Sequence, residues 1–320
     1  MCTAISFLGK NHYFGRNLDL EHHWQEQVVI APRHFPLIGA EDHYALIGMA
    51  TVVTGYPLFF EGTNERGLSA AALNFPGNAV YHRPENGKRN IPSYNLISYV
   101  LARCGSCREV RQLLADSVIT WDAFGEDMPP SPLHWLIADR KEALVVESTA
   151  EGLQLYENPV GVLTNNPPFP AQMVSLCNYM SLSPEGPENR IAPGVPLTPY
   201  SRGMGAMGLP GDFSSPSRFV RSVFVKYASN PETDGLSQFF HMLSAVEQVD
   251  GCVRIGDKFQ KTLYSCCCDT EKGIYYYTTY GNRQITAIDM HKTNLDSTSL
   301  STFSLITEQQ IRWENGKSGG

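Results

Sequence analysis

Strand-like runs come in clusters along this chain, and the turns inside each cluster are too short to carry a crossover. Residues 2–9 (CTAISFLG) and 12–20 (HYFGRNLDL) are separated only by Lys10 and Asn11, the spacing of a hairpin. Runs at 44–53, 57–62 and 67–74 follow, the last two divided by the turn-like Thr63-Asn64-Glu65-Arg66. A second cluster reads 132–138, 143–149, 152–157 and 160–165, and 261–268, 273–280 and 284–290 close the chain. Parallel strands need a connection of about a dozen residues or more, so these clusters predict antiparallel pairing, with a meander over 132–165.

Between the clusters the apolar period changes to that of helices. Segment 93–103 places Leu96, Ile97, Val100 and Leu101 on one face, and 107–116 does the same with Val110, Leu113 and Leu114. Helices also fit 217–228 and 234–248, the latter with Leu236, Phe239, Phe240, Leu243 and Val246 on one stripe. Residues 181–216 are rich in Pro, Gly and Ser and read as a long loop. Strand groups alternating with helix groups predict a layered α+β chain in which two antiparallel sheets pack face to face. No linker divides residues 1–320, which read as one domain; the polar tail from Thr307, ending in GKSGG, reads as frayed.

Composition removes several functions. Net charge is −7 with no Lys/Arg cluster, so a nucleic-acid footprint is absent. No apolar stretch reaches the roughly 18 residues of a membrane span, and the start MCTAISFLGKNHYFGRN has neither the basic nor the long apolar region of a secretory signal. The expectation is a cytoplasmic protein. Its eight cysteines should then be free thiols. Cys104 and Cys107 form a C-x-x-C, but Cys266, Cys267 and Cys268 are consecutive in a strand, where neighbours point to opposite faces. They read as small buried hydrophobes rather than as ligands of a metal.

Chemistry gathers near the start. Cys2 follows the initiator Met and is small enough for Met1 to be removed, which leaves a thiol and a free α-amine on one residue. An α-amine titrates near pH ~8, so it can deprotonate its own side chain. The second hairpin strand carries Gly15-Arg16-Asn17-Leu18-Asp19. An arginine favours a thiolate, and a carboxylate would fix the ammonium form of the amine. Arg16 and Asp19 lie three apart and face opposite ways on an ideal strand, so both approach Cys2 only if the strand bends, which Gly15 permits. Asn74 ends a strand before Phe75-Pro76-Gly77, and Asn165 ends another before Asn166-Pro167-Pro168; amides at such ends can serve an oxyanion or cap a turn. Arg218 and Arg221 open a helix after Ser214-Ser215-Pro216-Ser217, where cations oppose the helix dipole, a conflict that points to another use for at least one of them. Gly203-Met204-Gly205-Ala206-Met207-Gly208 matches a dinucleotide fingerprint, but it lacks the preceding strand and following helix and reads as a loop.

The segments MCTAI, YFGRNLD, LNFPGNA, SPLHWLIAD, VGVLTNNP, LPGDFSSPSRFVR and EKGIYYYTTYGNRQITAIDM together resemble the choloylglycine hydrolase family, and within it the bile salt hydrolases of gut bacteria, over nearly the whole chain. The resemblance implies the four-layer αββα sandwich of N-terminal-nucleophile hydrolases, maturation by loss of Met1 alone, no cofactor, no metal and a homotetramer. It implies that Cys2 is the nucleophile and its amine the base, and that Arg16 and Asp19 tune them. It further implies that Asn74 and Asn165 form the oxyanion site and that Arg218 organises charge. Leu18, Trp24, Val53, Phe60, Phe124, Met128 and Leu133 match the steroid-contacting positions, and Arg202 in Ser201-Arg202-Gly203 could pair with a sulfonate. The implied reaction is hydrolysis of glycine- or taurine-conjugated bile salts; a penicillin V or acyl-homoserine lactone acylase and a non-catalytic bile acid binder are the competing readings.

Overall fold

The computed structural model describes residues 1–315 except Gly39, Glu41 and Pro231. Among the described residues, two large sheets account for most strands, and every pairing within them is antiparallel. The expected hairpin is Cys2–Leu8 with His12–Leu20, in register from Cys2 opposite Leu18 to Leu8 opposite His12. It lies inside the first sheet, flanked by Val162–Leu163 on one side and Lys258–Asp269 on the other; Ile274–Thr279 and Thr286–Asp289 extend that sheet, and Val253–Ile255 also pairs with Lys258–Asp269. The second sheet runs Gly152–Glu157, Ala143–Thr149, Leu133–Ala138, Ser69–Asn74, Tyr56–Asn64, Leu46–Val53, Gln27–Ala31 and Ser301–Ser304.

Alternation in these strands supplies two apolar faces per sheet, and helices cover the outer ones. Leu96–Arg103 and Cys107–Leu114 bury Ile97, Val100, Leu101, Val110 and Leu114 against Val29, Ala70, Trp135 and Ile137 of the second sheet. Ser215–Ala228 and Gly235–Ser244 bring Phe219, Phe239 and Leu243 onto the first. Asn17 of the hairpin donates to the carbonyl of Leu243 at 2.9 Å, which fixes that helix over the strand. The result is helix, sheet, sheet, helix, the order that the resemblance implied, with the two packed sheets that the grouping of elements predicted.

The structure departs from the sequence reading at definable points. The meander holds for Leu133–Ala138, Ala143–Thr149 and Gly152–Glu157, but Val162–Leu163 crosses to the other sheet and pairs with Ala4 and Ile5. Asn158 makes that turn: its amide donates to Val162 O, its Oδ1 accepts from Gly161 N, and Gly161 sits at φ +61°. Strand Gln27–Ala31 and helix Phe169–Leu176 were not visible; the first is a five-residue apolar run that either element could use, and the second opens with proline on both sides of Phe169. The tail is held as far as Gln310, whose N–H donates to Asn282 Oδ1 at 3.2 Å; the terminal GKSGG lies outside the described residues.

The hairpin carries one buried imidazole. His12 bonds Ser6 Oγ through Nε2 and Thr270 Oγ1 through Nδ1, both at 2.9 Å. Desolvation by burial lowers its pKa from 6.5 to about 4. The unfolded chain therefore takes up the proton first on acidification, and the contribution of the neutral ring is complete above pH 6.5 and is lost as pH falls to about 4. At about 1.4 kcal/mol per unit, this amounts to about 3 kcal/mol. Urea unfolding of the wild type between pH 7 and 4 should show the loss and His12→Gln should flatten it; parallel pH curves for the two proteins would refute the assignment.

Candidate active site

Strand parity decides what can meet the Cys2 thiol. Cys2 pairs with Leu18, and Ala4 pairs with Arg16, so these four side chains share the face toward the second sheet. Thr3, Asn17 and Asp19 share the opposite face, toward the helices. Arg16 and Asp19 need not be brought together: one stands on the thiol's face and the other beside the Cys2 backbone. The bend expected at Gly15 is absent there, and the irregularity is instead a bulge in the partner strand between Thr262 and Tyr264, across from Asp19 and Leu18. Gly15 has another cause, since a Cβ there would overlap the Cys266 carbonyl of the adjacent strand.

On the helix side, Arg218 is fully buried and binds what surrounds Cys2. Its Nη1 donates to Cys2 O at 2.5 Å and to Thr3 Oγ1 at 2.6 Å, and its Nη2 donates to Asn165 Oδ1 at 2.7 Å. The same Oδ1 accepts the Cys2 N–H at 2.8 Å. Asp19 stands 4.0 Å from Arg218; its Oδ1 accepts from Thr262 Oγ1 at 2.6 Å, while Oδ2 has no hydrogen-bond partner among the described residues. Burial pushes the Asp19 carboxyl above its usual range, and Arg218 opposes that shift. Met1 prolongs the pairing, with its nitrogen on Asp19 O at 2.7 Å and its carbonyl accepting from Asp19 N at 3.0 Å. Burial lowers the pKa of this terminal amine below 8.0, the cost of an ammonium out of water. Arg221, the second cation of the helix start, holds the loop instead, through the carbonyls of Pro210, Asp212 and Ala245.

On the other face Arg16 crosses to the second sheet. Nη1 donates to Ala72 O at 2.5 Å and Phe60 O at 3.1 Å, and lies 3.8 Å from Glu61 Oε2. Glu61 accepts Tyr264 and Tyr275 hydroxyls at 2.8 and 2.7 Å. Arg16 Nη2 has no acceptor among the described residues, on the side chain that shares a cavity with Cys2. The oxyanion candidates also meet. Asn165 Nδ2 donates to Asn74 O at 2.7 Å, leaving Nδ2 one further N–H, and Asn165 N donates to Ser215 Oγ at 2.8 Å.

Cys2, Arg16 and Asn74 line a cavity of about 420 Å³ together with Leu18, Leu20, Trp24, Leu58, Phe59, Phe60, Phe124, Met128 and Leu133. A cleft of about 500 Å³ elsewhere is lined by Lys226, Asp139, Arg140 and Glu142, so chemistry and not volume selects the first. Six of the seven steroid-position residues line the cavity; Val53 does not, because it ends its strand in the turn toward Tyr56. Arg202 is exposed on the long loop and is not part of the wall either. The glycine motif at 203–208 is a short 3-10 turn after a loop, and no cluster of ligand side chains able to hold a metal occurs among the described residues. The sequence reading missed Glu61, Thr262 and Ser215, each of which partners a site residue only through folding.

The fold and this constellation match one class. The profile of linear amide C-N hydrolases, choloylglycine hydrolase family, covers residues 2–303, and the chain belongs to that family. It is 46% identical to a bile salt hydrolase/transferase of Lactiplantibacillus plantarum, over 97% of this chain and 98% of that one. It is 39% identical to a bile salt hydrolase/transferase of Clostridium perfringens, over 95% and 96%. The crystal structure of the C2A mutant of the Clostridium perfringens conjugated bile acid hydrolase superposes with a TM-score of 0.92 at 38% identity, covering 98% of this chain and 100% of that one. A penicillin V acylase from Agrobacterium tumefaciens shares the fold, with a TM-score of 0.75 at 18% identity over 96% of this chain and 92% of that one.

Glu61 is the carboxylate beside Arg16. Its loss in Glu61→Ala would strand a buried guanidinium and two tyrosine hydroxyls, an expected cost of about 3–5 kcal/mol. Chemical denaturation measures this, and a change under about 1 kcal/mol would rule out the pairing as a structural requirement.

Proposed function

We propose that this chain is a cytoplasmic bile salt hydrolase that cleaves the amide joining a steroid acid to glycine or taurine, with the Cys2 thiol as nucleophile after Met1 is removed. The observation that carries the reading is the position of Cys2: its nitrogen donates to Asn165 Oδ1, and it lines a largely apolar cavity together with Arg16 and Asn74. The names and identities of the relatives support the substrate class.

In this mechanism Asn165 Oδ1 orients the free amine, which takes the thiol proton. The spare N–H groups of Arg16 stabilise the thiolate, as a nearby cation does. The thiolate attacks the amide carbonyl, and the oxyanion meets Asn74 and the remaining N–H of Asn165. The C–N bond breaks as the α-ammonium returns the proton to the leaving nitrogen, and water then hydrolyses the thioester. Asp19 and Arg218, buried together beside the Cys2 backbone, hold the terminus in place. Leu18, Trp24, Phe60, Phe124, Met128 and Leu133 receive the steroid rings, which need an apolar wall. The chain works as a homotetramer, to be tested by light scattering.

The test combines intact mass with amino-acid release from a panel of glycine and taurine conjugates, penicillin V and an acyl-homoserine lactone. A mature protein lacking Met1 should release glycine or taurine with the highest kcat/KM, and Cys2→Ala should lose at least about 10³-fold. Full activity in a protein that keeps Met1, or preference for penicillin V, would overturn the assignment.

A further inference from the structure

Behind the two asparagines sits a side-chain pair that the mechanism above does not use. His134 is fully buried on the strand Leu133–Ala138, opposite Leu73. Its Nε2 is 2.9 Å from Thr164 O and its Nδ1 is 3.1 Å from Glu147 Oε1. Its ring lies flat on Phe75, with centroids 4.3 Å apart and planes 6° from parallel. Thr164 immediately precedes Asn165, and Phe75 immediately follows Asn74. One imidazole therefore touches the neighbour of each asparagine, and it does so from the second sheet onto a segment that continues a strand of the first.

Proton counting sharpens the arrangement. A carbonyl oxygen can only accept, so Nε2 must carry hydrogen toward Thr164. The Nδ1 to Oε1 contact needs a second proton between them, and a neutral imidazole has only one N–H, so His134 and Glu147 share it. Glu147 Oε1 also accepts the N–H of Phe169 at 2.9 Å, the first residue of the helix Phe169–Leu176. The helix thus holds Glu147, Glu147 holds His134, and His134 holds the backbone that carries Asn165.

We propose that His134, oriented by Glu147, is a positioning residue that sets Asn165 against Asn74, keeping Nδ2 on the Asn74 carbonyl, while Arg218 separately holds Oδ1. The inference rests on the reading that Cys2 and the two asparagines perform the chemistry. His134 itself does not line the cavity, so its loss should spare ground-state binding and reach the transition state only through misplaced donors.

The experiment compares wild type, His134→Phe and Glu147→Gln by steady-state release of amino acid from one conjugated bile salt, with the alkylation of Cys2 by iodoacetamide followed by peptide mapping. His134→Phe keeps a ring over Phe75 and removes both hydrogen bonds. Its kcat should fall about 10²-fold, with KM and the alkylation rate within about twofold of wild type. His134 Nδ1 and the Phe169 N–H meet at one oxygen of Glu147, and Glu147→Gln can satisfy only one of them, so its kcat should fall about 10-fold with KM and the alkylation rate again near wild type. If His134→Phe is not recovered folded, His134→Gln, which can reach one partner but not both, is measured the same way and should show the same split. Wild-type kcat in the His134 variant, parallel loss of kcat and alkylation, or a Glu147→Gln enzyme with wild-type kcat would each overturn the inference while leaving the amidase reading intact. A wild type that releases no amino acid would remove the amidase reading and this inference with it.

Discussion

The first strand of this protein is paired on both sides. Chain ends usually fray, yet here the N-terminal strand lies between Val162–Leu163 and His12–Leu20: Ala4 and Ile5 pair with Leu163 and Val162, and Cys2 pairs with Leu18. Everything proposed for the site depends on that constraint. A nucleophile that must also supply its own base needs its backbone nitrogen located as closely as its sulfur; the strand fixes the residue, and the Asn165 side chain holds the nitrogen. Arg218 completes the hold by bonding the Cys2 carbonyl, Thr3 and Asn165. A buried guanidinium is tolerable only with its donors occupied, and here its acceptors are the atoms that must not move.

The two faces of the hairpin carry different tasks. Toward the helices lie Asp19, Thr262 and Arg218, which stabilise the terminus. Toward the second sheet lies Arg16, whose contacts with Phe60, Ala72 and Glu61 cross the sandwich. His134 crosses in the other direction to Thr164. Polar bridges of this kind are expensive in an apolar interior unless fully satisfied, and they occur where the apolar cavity meets the thiol.

Some of this was legible in the residues. The hairpin, with Cys2, Arg16 and Asp19 on it, follows from two short runs and a polar turn, because local pairing maps spacing directly onto position. Strand parity puts Arg16 and Asp19 on opposite faces, and they need not converge, because the thiol and the backbone of Cys2 present two faces to two partners. Asn74, Asn165 and Arg218 were visible as strand ends and a helix start, but their relevance to Cys2 came from family resemblance, since no spacing relates residue 2 to residue 218. Glu61 and Thr262 left no signal at all, and Ser215 showed only as one residue of the run before a helix. They acquire partners only when two sheets and a helix close on one another. Val53 looked equivalent to its apolar neighbours, yet one residue of difference at a strand end takes it out of the wall.

The bonds between Met1 and Asp19 have a consequence for timing. Both backbone groups of the initiator residue are engaged, its nitrogen by the Asp19 carbonyl and its carbonyl by the Asp19 N–H. A peptidase must grip an extended end to remove one residue, and once the ladder has zipped this end offers no grip. On the proposed mechanism, which requires loss of Met1, trimming would then fall to the nascent chain, in the interval between the emergence of residue 2 and the arrival of residue 19 and the strands that enclose it. On that same mechanism, a polypeptide that closed its sandwich first would be well folded but without a free amine on Cys2.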